Sequence, residues 1–507
     1  MLLTDALLEA LGPADSRALS RVRPDELYSG LLVGDLCSSH DGQEVSVTNP
    51  ATGEVLGSAS DASPDDARAA IEFARAALDG TTWSTDVELR ARCLRQLVDG
   101  LQRGFERLRT ALISEIGCPI RMTNADQLRY AIDKVAAGIE VMQTYPFVER
   151  LPDRTLAGAS VKRAIHRVPV GVVAAITPWN LPLELMLAKV SGALAGGNAI
   201  ILKPSPLSPW TAAELARVIA EETEIPSGIV AVVTSARTET VEVLTTSPRV
   251  DAVAFTGSTR TGRLVMEAAS ASVKRVCLEL GGKSPSVFLP DAPLADVLPF
   301  AAGMAMFNAG QSCIMPSRFL VPFDRLEEAV ELAGVGAAAV HAGDPWSSTT
   351  FLGPLISDHR RVEVQRIVDE SVRAGVQVAA GGSAMAGPGF WFEPTILVDA
   401  DGSSPASREE IFGPVVTMTP YRDLNHALEL ANSTEFGLAG YVWGSDVEAA
   451  ERFGSRIAAG MVGINGGLFT DADMPFGGVK SSGIGREWGR AGIEEFLDWQ
   501  TRAVRGS

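Results

Sequence analysis

Gly171-Val172-Val173-Ala174-Ala175-Ile176, running into Thr177-Pro178-Trp179-Asn180-Leu181-Pro182, is the stretch on which the fold turns. Its apolar run lacks the alternation of a half-solvated strand and reads as a strand covered on both faces. Segments 198–202, 229–233 and 251–255 have the same character, and helical patterns at about 183–196, 208–222 and 238–246 lie between them. Strands and helices alternating in this way imply right-handed crossovers and a parallel sheet with helices on both sides. Such a sheet binds ligands outside the carboxyl ends of its strands.

Working outward, a second α/β section begins beyond about 283, with strands near 284–289, 317–321 and 414–418. Upstream, Ser63-Pro64-Asp65-Asp66 starts a helix with a capping serine, a first-turn proline and acids at the positive end of the dipole. Ile71, Phe73, Ala74, Ala77 and Leu78 form its apolar stripe and Gly80 stops it. A second helix spans broadly 87–110. Segment 148–169, where Val161, Arg163, Ile165 and Arg167 alternate with other residues, reads as an exposed strand. The last 25 or so residues have a similar mixture, and the two flanks together suit an arm that adds strands to another subunit.

The totals exclude several classes. With 507 residues, 46% of them hydrophobic, the chain can bury two or three cores. A net charge of −18 argues against nucleic-acid phosphates and anionic membranes as partners. Cys37, Cys93, Cys118, Cys277 and Cys313 are scattered, without CxxC spacing, which fits a reducing compartment and no disulfide frame. The five histidines are equally dispersed, so no metal site is expected. The N-terminus suits a short amphipathic helix rather than a secretory signal, and no apolar run is long enough to span a bilayer. A cytoplasmic location is the expectation.

Two runs carry the strongest chemical signal: Leu278-Glu279-Leu280-Gly281-Gly282-Lys283-Ser284-Pro285 and Phe307-Asn308-Ala309-Gly310-Gln311-Ser312-Cys313. A thiolate attacks a carbonyl carbon, and a desolvated carboxylate can direct water at the resulting thioester. Taken alone, a cysteine such as Cys313 is more often a small buried hydrophobe. Asn180, between Pro178 and Pro182, is rigidly placed to donate to an oxyanion, or else satisfies a local turn. Lys203-Pro204-Ser205-Pro206 puts a lysine where a strand ends, suited to a ribose or phosphate, or simply solvated. Phe255-Thr256-Gly257-Ser258-Thr259-Arg260-Thr261-Gly262 lets backbone N–H groups approach a pyrophosphate, although it is not the three-glycine fingerprint. Glu409-Glu410-Ile411-Phe412-Gly413-Pro414 offers a carboxylate to a ribose diol, and Phe476, in Met474-Pro475-Phe476-Gly477-Gly478, can wall an apolar pocket.

In this order, from about Gly34 to Trp499, these runs closely resemble the aldehyde dehydrogenase superfamily. The resemblance implies an α/β fold with a Rossmann-type parallel-sheet cofactor domain, an α/β catalytic domain and a small β oligomerisation arm. It divides the chain into an NAD(P)-binding domain (1–147 and 170–281), a catalytic domain (282–483) and a bridging region (148–169 and 484–507). It implies that Cys313 attacks an aldehyde and that the Asn180 amide and the Cys313 N–H hold the oxyanion. Hydride passes to NAD(P)+, and Glu279 activates the water that hydrolyses the thioester. The implied cofactor residues are Ile176, Thr177, Pro178, Trp179, Lys203, Ser205, Pro206, Phe255, Thr256, Gly257, Ser258, Gly262, Leu280, Glu410 and Phe412. Lys203 would meet the adenosine ribose, Ser258 the pyrophosphate and Glu410 the nicotinamide ribose, with Phe412 at the nicotinamide end and Trp179 lining the cleft. A homodimer or homotetramer is expected.

Three departures qualify the resemblance. Pro206 stands where NAD-preferring relatives usually carry the glutamate that binds the adenosine ribose, so NADP becomes permissible. No arginine beside Lys203 welcomes a 2′-phosphate and the chain is acidic, so NAD is favoured. Val232-Val233-Thr234-Ser235-Ala236 lacks the glycine that commonly follows this strand. Leu181, Ser312, Ile314, Leu468 and Phe476, with Gly466-Gly467, indicate a roomy, mostly apolar substrate tunnel suited to medium-chain, terpenoid or aromatic aldehydes. Glu184 is expected at the surface rather than at the tunnel mouth. CoA-acylating dehydrogenation and a non-catalytic scaffold are the competing readings; retention of Glu279 favours water over a thiol.

Overall fold

The computed structural model describes residues 3–13, 22–467 and 470–505. Its largest sheet has eight strands in the order Gly483–Ile484, Arg275–Glu279, Ala252–Thr256, Val172–Ile176, Ala199–Lys203, Val230–Val232, Leu31–Val33 and Asp35–Cys37. The five strands between 172 and 279 are mutually parallel, and the flanking ones run antiparallel. The Val172–Ile176, Ala199–Lys203 and Ala252–Thr256 strands are buried at every position, as continuous apolar runs require. Pro182–Gly196, Pro209–Glu222 and Thr238–Thr246 are the crossover helices.

From Val172–Ile176 the chain winds outward through Ala199–Lys203 to Val230–Val232. It then returns to lay Ala252–Thr256 and Arg275–Glu279 on the opposite side. The winding reverses between Ile176 and Thr256, and adjacent loops diverge there to open a crevice. Thr177–Asn180 and Gly257–Gly262 leave the sheet at that point.

A second sheet of seven strands, ordered Gln377–Ala380, Thr395–Val398, Val415–Tyr421, Arg318–Pro322, Pro285–Phe288, Ala439–Trp443 and Met461–Ile464, is parallel except at its first pair. The flanks meet in a third sheet, where Leu497–Arg505 pairs with Ala159–Pro169 and Ala159–Pro169 with Val148–Leu156. Segment 148–169 is therefore a hairpin rather than one strand. Its turn is Ala157-Gly158, both at positive φ. The single helix expected over 87–110 is two, Val87–Arg103 and Phe105–Ile116; Gly104 caps the end of one and the start of the other. Near the N-terminus, helix Leu3–Ala10 lies against Leu294–Met304: Leu7 is fully buried and packs where Gly303 has no side chain. No helix among the described residues is long and apolar enough to cross a membrane.

Candidate active site

Asn180 is placed by its backbone. Its carbonyl oxygen accepts hydrogen bonds from Gln127 Nε2 at 2.9 Å and Asn308 Nδ2 at 3.0 Å. Asn308 belongs to the tight turn before the nucleophile, where Asn308, Ala309 and Gly310 all have positive φ. Non-glycine residues persist in that region only when their surroundings hold them. Gln311 does so here, donating to the Asn308 and Pro354 carbonyls and accepting the Ile356 N–H. The turn also backs onto Gly413, so closely that a Cβ on Gly310 would lie 2.0 Å from the Gly413 carbonyl oxygen.

Beyond this turn Cys313 is part-exposed, and it packs with Ile314, Tyr441 and Phe476 against Leu438, Ala439 and Met461. Ser312 beside it is buried, and the Tyr441 hydroxyl donates to the Ile314 carbonyl at 2.9 Å. Leu181 is half-buried ahead of the helix that Pro182 opens. Leu468, a further pocket candidate, lies outside the described residues.

Glu279 ends its strand almost fully buried, with Oε1 lacking any hydrogen-bond partner. Its carboxyl lies near enough to the Cys313 thiol for each group to bear on the other's pKa. Burial pushes both groups well above their ordinary pKa values; the nearby Glu487 charge adds to the rise at Glu279, and Glu279 itself adds to it at Cys313. Behind Glu279 the buried Lys189 ammonium pairs with Glu487 and donates to Thr256 Oγ1 at 2.6 Å. Lys189 and Glu487 were not singled out from the sequence. A lone lysine inside the apolar helix Pro182–Gly196 was the available signal, since a fully buried lysine needs a partner.

The other candidate residues lie at the strand ends and on the loops that follow them. Glu410 Oε1 accepts the Gly282 N–H at 2.9 Å, and burial raises this carboxyl to about 6. Trp179 and Phe412 meet edge to face, with ring centroids 5.6 Å apart, and Phe412 holds a positive φ. Thr177 Oγ1 is buried with no partner, at the end of the strand that closes with Ile176, and Pro178 beside it is half-buried. Ser258 accepts the Thr261 N–H and caps helix Thr259–Ser270, just past Phe255, Thr256 and Gly257. Gly262 lets this helix approach Leu280, whose side chain would lie 2.5 Å from a Cβ at that position.

On the far side of the winding reversal, Lys203 Nζ donates to the Ser235 carbonyl at 3.0 Å, and burial lowers its pKa to about 8. Ser205 Oγ accepts the Leu207 N–H, and Pro206 is half-buried. The candidates thus fall into a reactive group around Cys313, Glu279 and Glu410 and a second group around Lys203.

One expectation is corrected. Glu184 is not a surface residue: its carboxylate pairs with Lys134 Nζ at 2.6 Å, both side chains are largely buried, and Lys134 lies over the Trp488 ring. Its charge reaches Cys313, so the surroundings of the thiol are less uniformly apolar than the sequence indicated. Arg237, on the loop after Val230–Val232, is joined to Lys203 only indirectly, through Ser235 and Asp61. Among the described residues no cluster of three or more potential metal ligands occurs.

The sequence pattern of the Aldehyde dehydrogenase family matches residues 37–502. The chain belongs to that family. This aldehyde dehydrogenase is 37% identical over 469 residues to a 3-succinoylsemialdehyde-pyridine dehydrogenase of a Pseudomonas species, covering 92% of this chain and 95% of the relative. It is 34% identical over 473 residues to GabD, the NADP(+) succinate-semialdehyde dehydrogenase of Escherichia coli K12, covering 92% and 96%. Among solved structures it resembles a mutant of aldehyde dehydrogenase C from Pseudomonas syringae in complex with NAD+ and octanal: the TM-score is 0.88 at 36% identity, with 96% and 98% of the two chains covered. The enzyme oxidises aldehydes with NAD(P)+. Its crevice fits a dinucleotide: the orphaned Thr177 and Thr234 hydroxyls need partners, the helix N-terminus at Ser258 faces the loop edge, and Glu410 offers a carboxylate.

Proposed function

We propose that Cys313 is the nucleophile, Glu279 the general base and Asn180 the oxyanion donor of a hydrolytic aldehyde dehydrogenase. The observation that carries this is a buried Glu279 carboxyl at the carboxyl edge of a parallel sheet, near enough to the Cys313 thiol for its charge to raise that thiol's pKa. The Cys313 thiol gives its proton to water, its sulfur bonds to the aldehyde carbon as the C=O π bond opens, and the Asn180 amide and Cys313 N–H donate to the oxygen that gains charge. The Asn180 backbone is already held by Gln127 and Asn308, which supports a donor needing little reorganisation. NAD(P)+, when bound, would supply the hydride acceptor needed to oxidise the thiohemiacetal to a thioester. Glu279 then takes a proton from water; the hydroxide adds to the thioester carbon, the C–S bond breaks, and the carboxylic acid leaves. Lys189 and Glu487 tune that carboxyl from behind.

In this reading Ile176, Thr177, Pro178, Trp179, Phe255, Thr256, Gly257, Ser258, Gly262, Leu280, Glu410 and Phe412 hold the nicotinamide and pyrophosphate portions, and Lys203, Ser205 and Pro206 the adenosine ribose. Residues 1–147 with 170–281 form the cofactor domain and 282–483 the catalytic domain. The arm of 148–169 and 484–507 adds strands to a second subunit, giving a homodimer or homotetramer in the cytoplasm. Its exposed Val148, Leu156, Trp499 and Val504 support that role. Leu181, Ser312, Ile314 and Phe476 line the substrate pocket, with medium-chain, terpenoid or aromatic aldehydes as the substrate class; the octanal complex of the P. syringae protein supports a chain of that length. Rapid mixing with an aldehyde panel, followed by product analysis with and without CoA, tests the mechanism: free acid without CoA is expected, and an obligatory CoA thioester product would overturn the hydrolytic step.

A further inference from the structure

The sheet topology gives the crevice two unequal halves. Glu279 lies at the end of Arg275–Glu279, on one side of the winding reversal, so the reacting half of a dinucleotide lies there. The other half must extend over the ends of Ala199–Lys203 and Val230–Val232, where Lys203 and the loop 233–237 leave the sheet. That loop carries an arginine whose three nitrogens all donate to aspartates. Arg237 Nε donates to Asp61 Oδ2 at 3.1 Å and Nη1 to Asp41 Oδ2 at 2.6 Å. Nη2 donates to Asp41 Oδ1 and to the Asp61 carbonyl, each at 3.1 Å.

The two aspartates are themselves fastened. Asp41 accepts from Ser39 Oγ and the Gln43 N–H, and Asp61 from Ser235 Oγ and the Ala236 N–H. Ser235 is the link: its hydroxyl donates to Asp61 while its carbonyl accepts from Lys203 Nζ. Lys203, Ser235, Asp61, Arg237 and Asp41 are therefore one connected network at the end of the crevice remote from Cys313.

We propose that the Asp41–Arg237–Asp61 clamp makes this enzyme select NAD+ over NADP+. The inference rests on the reading of Lys203 as an adenosine-ribose residue. An arginine in such a place ordinarily supplies the bidentate donors that receive a 2′-phosphate. Here both its terminal nitrogens are turned to Asp41, so Lys203 alone is left to receive an arriving phosphate, and the Asp41–Arg237–Asp61 group keeps one net negative charge. A ribose hydroxyl carries no charge and meets no such repulsion. The missing carboxylate at Pro206 is thus replaced in effect by rejection arising from elsewhere in the chain.

The test uses the full-length enzyme and titrates NADH and NADPH by quenching of protein fluorescence, alongside kcat/KM for NAD+ and NADP+. The wild type is expected to bind NADH at least about tenfold more tightly than NADPH. Asp41→Asn, which releases the Nη groups, tightens NADPH relative to NADH by about fivefold or more, and adding Arg237→Ala removes that gain. Equal affinities in the wild type, or an unchanged ratio in Asp41→Asn, would overturn the assignment. Lys203→Ala separates the underlying reading: weakened binding of both nucleotides supports it, whereas unaltered binding of both brings down the ribose assignment and the selectivity argument with it. Aldehyde oxidation by Cys313 is untouched by either result.

Discussion

Gly282 sits against the backbone of Cys313: a Cβ at Gly282 would lie 2.1 Å from the Cys313 carbonyl oxygen. The Gly282 N–H meanwhile donates to Glu410. One residue without a side chain therefore spaces the nucleophile from the carboxylate of the opposite loop. Gly282→Ala displaces one or the other, and kcat is expected to fall about a hundredfold although the thiol is retained. Steady-state rates combined with thiol counting check this; a variant of normal rate would remove the spacing role.

Cys313→Ala is expected to leave less than about one per cent of aldehyde-dependent NAD(P)H formation. Glu279→Gln separates the two half-reactions. A first-turnover burst of NAD(P)H survives, and the steady-state rate drops about 10²–10³-fold. Loss of the burst in that variant would place Glu279 before hydride transfer instead of after it.

The Glu487 charge contributes to the raised pKa of Glu279. Glu487→Gln is therefore expected to lower that pKa, and the ascending limb of the thioester-hydrolysis rate against pH moves to more acid values. Measured kcat between about pH 5 and 10 reads the shift. A limb that stays in place, or moves the other way, dissociates the Lys189–Glu487 pair from the base.

Glu410, raised to about 6 by burial, loses its charge as the pH falls through that value. Its proposed hold on a ribose diol weakens with it, so the KM for cofactor rises between pH 7 and 5. Glu410→Gln, already neutral, has a higher KM that no longer varies across this range. A wild-type KM flat over the interval contradicts the assignment.

Stability has its own titrating group. Glu115 accepts the Trp210 and Thr211 N–H groups at 2.8 and 2.9 Å, at the start of helix Pro209–Glu222, and burial raises its carboxyl to about 7. This folded value lies above the unfolded one of about 4.3, so the contribution is complete below the unfolded value and lost as pH rises through about 7. Glu115→Ala costs about 1–3 kcal/mol by urea unfolding, because those buried donors lose their acceptor. Glu115→Gln flattens the dependence of stability on pH over the same interval.

Much of this was legible along the chain because its signals are local. Gly171–Ile176 declares a doubly covered strand by composition, and the Ser63 cap declares its helix by residue type. Cys313 and Glu279 stand out because each interrupts its surroundings with a reactive group. Where the local signal was ambiguous, the reading went astray: Gly104 breaks a helical pattern that periodicity alone continues, and Glu184 looks solvated until its partner is known.

The sequence by itself determined the order of strands and helices, the family and the identity of the reactive groups, since these depend on neighbours a few residues apart. Only the tertiary structure decided which charges face one another. Lys134 meets Glu184, Lys189 meets Glu487, and Arg237 is held by Asp41 and Asp61, all across long separations in sequence. Pairing energies depend on distance through space and on the water removed from around the charges, and neither quantity is written in the spacing of residues along a chain.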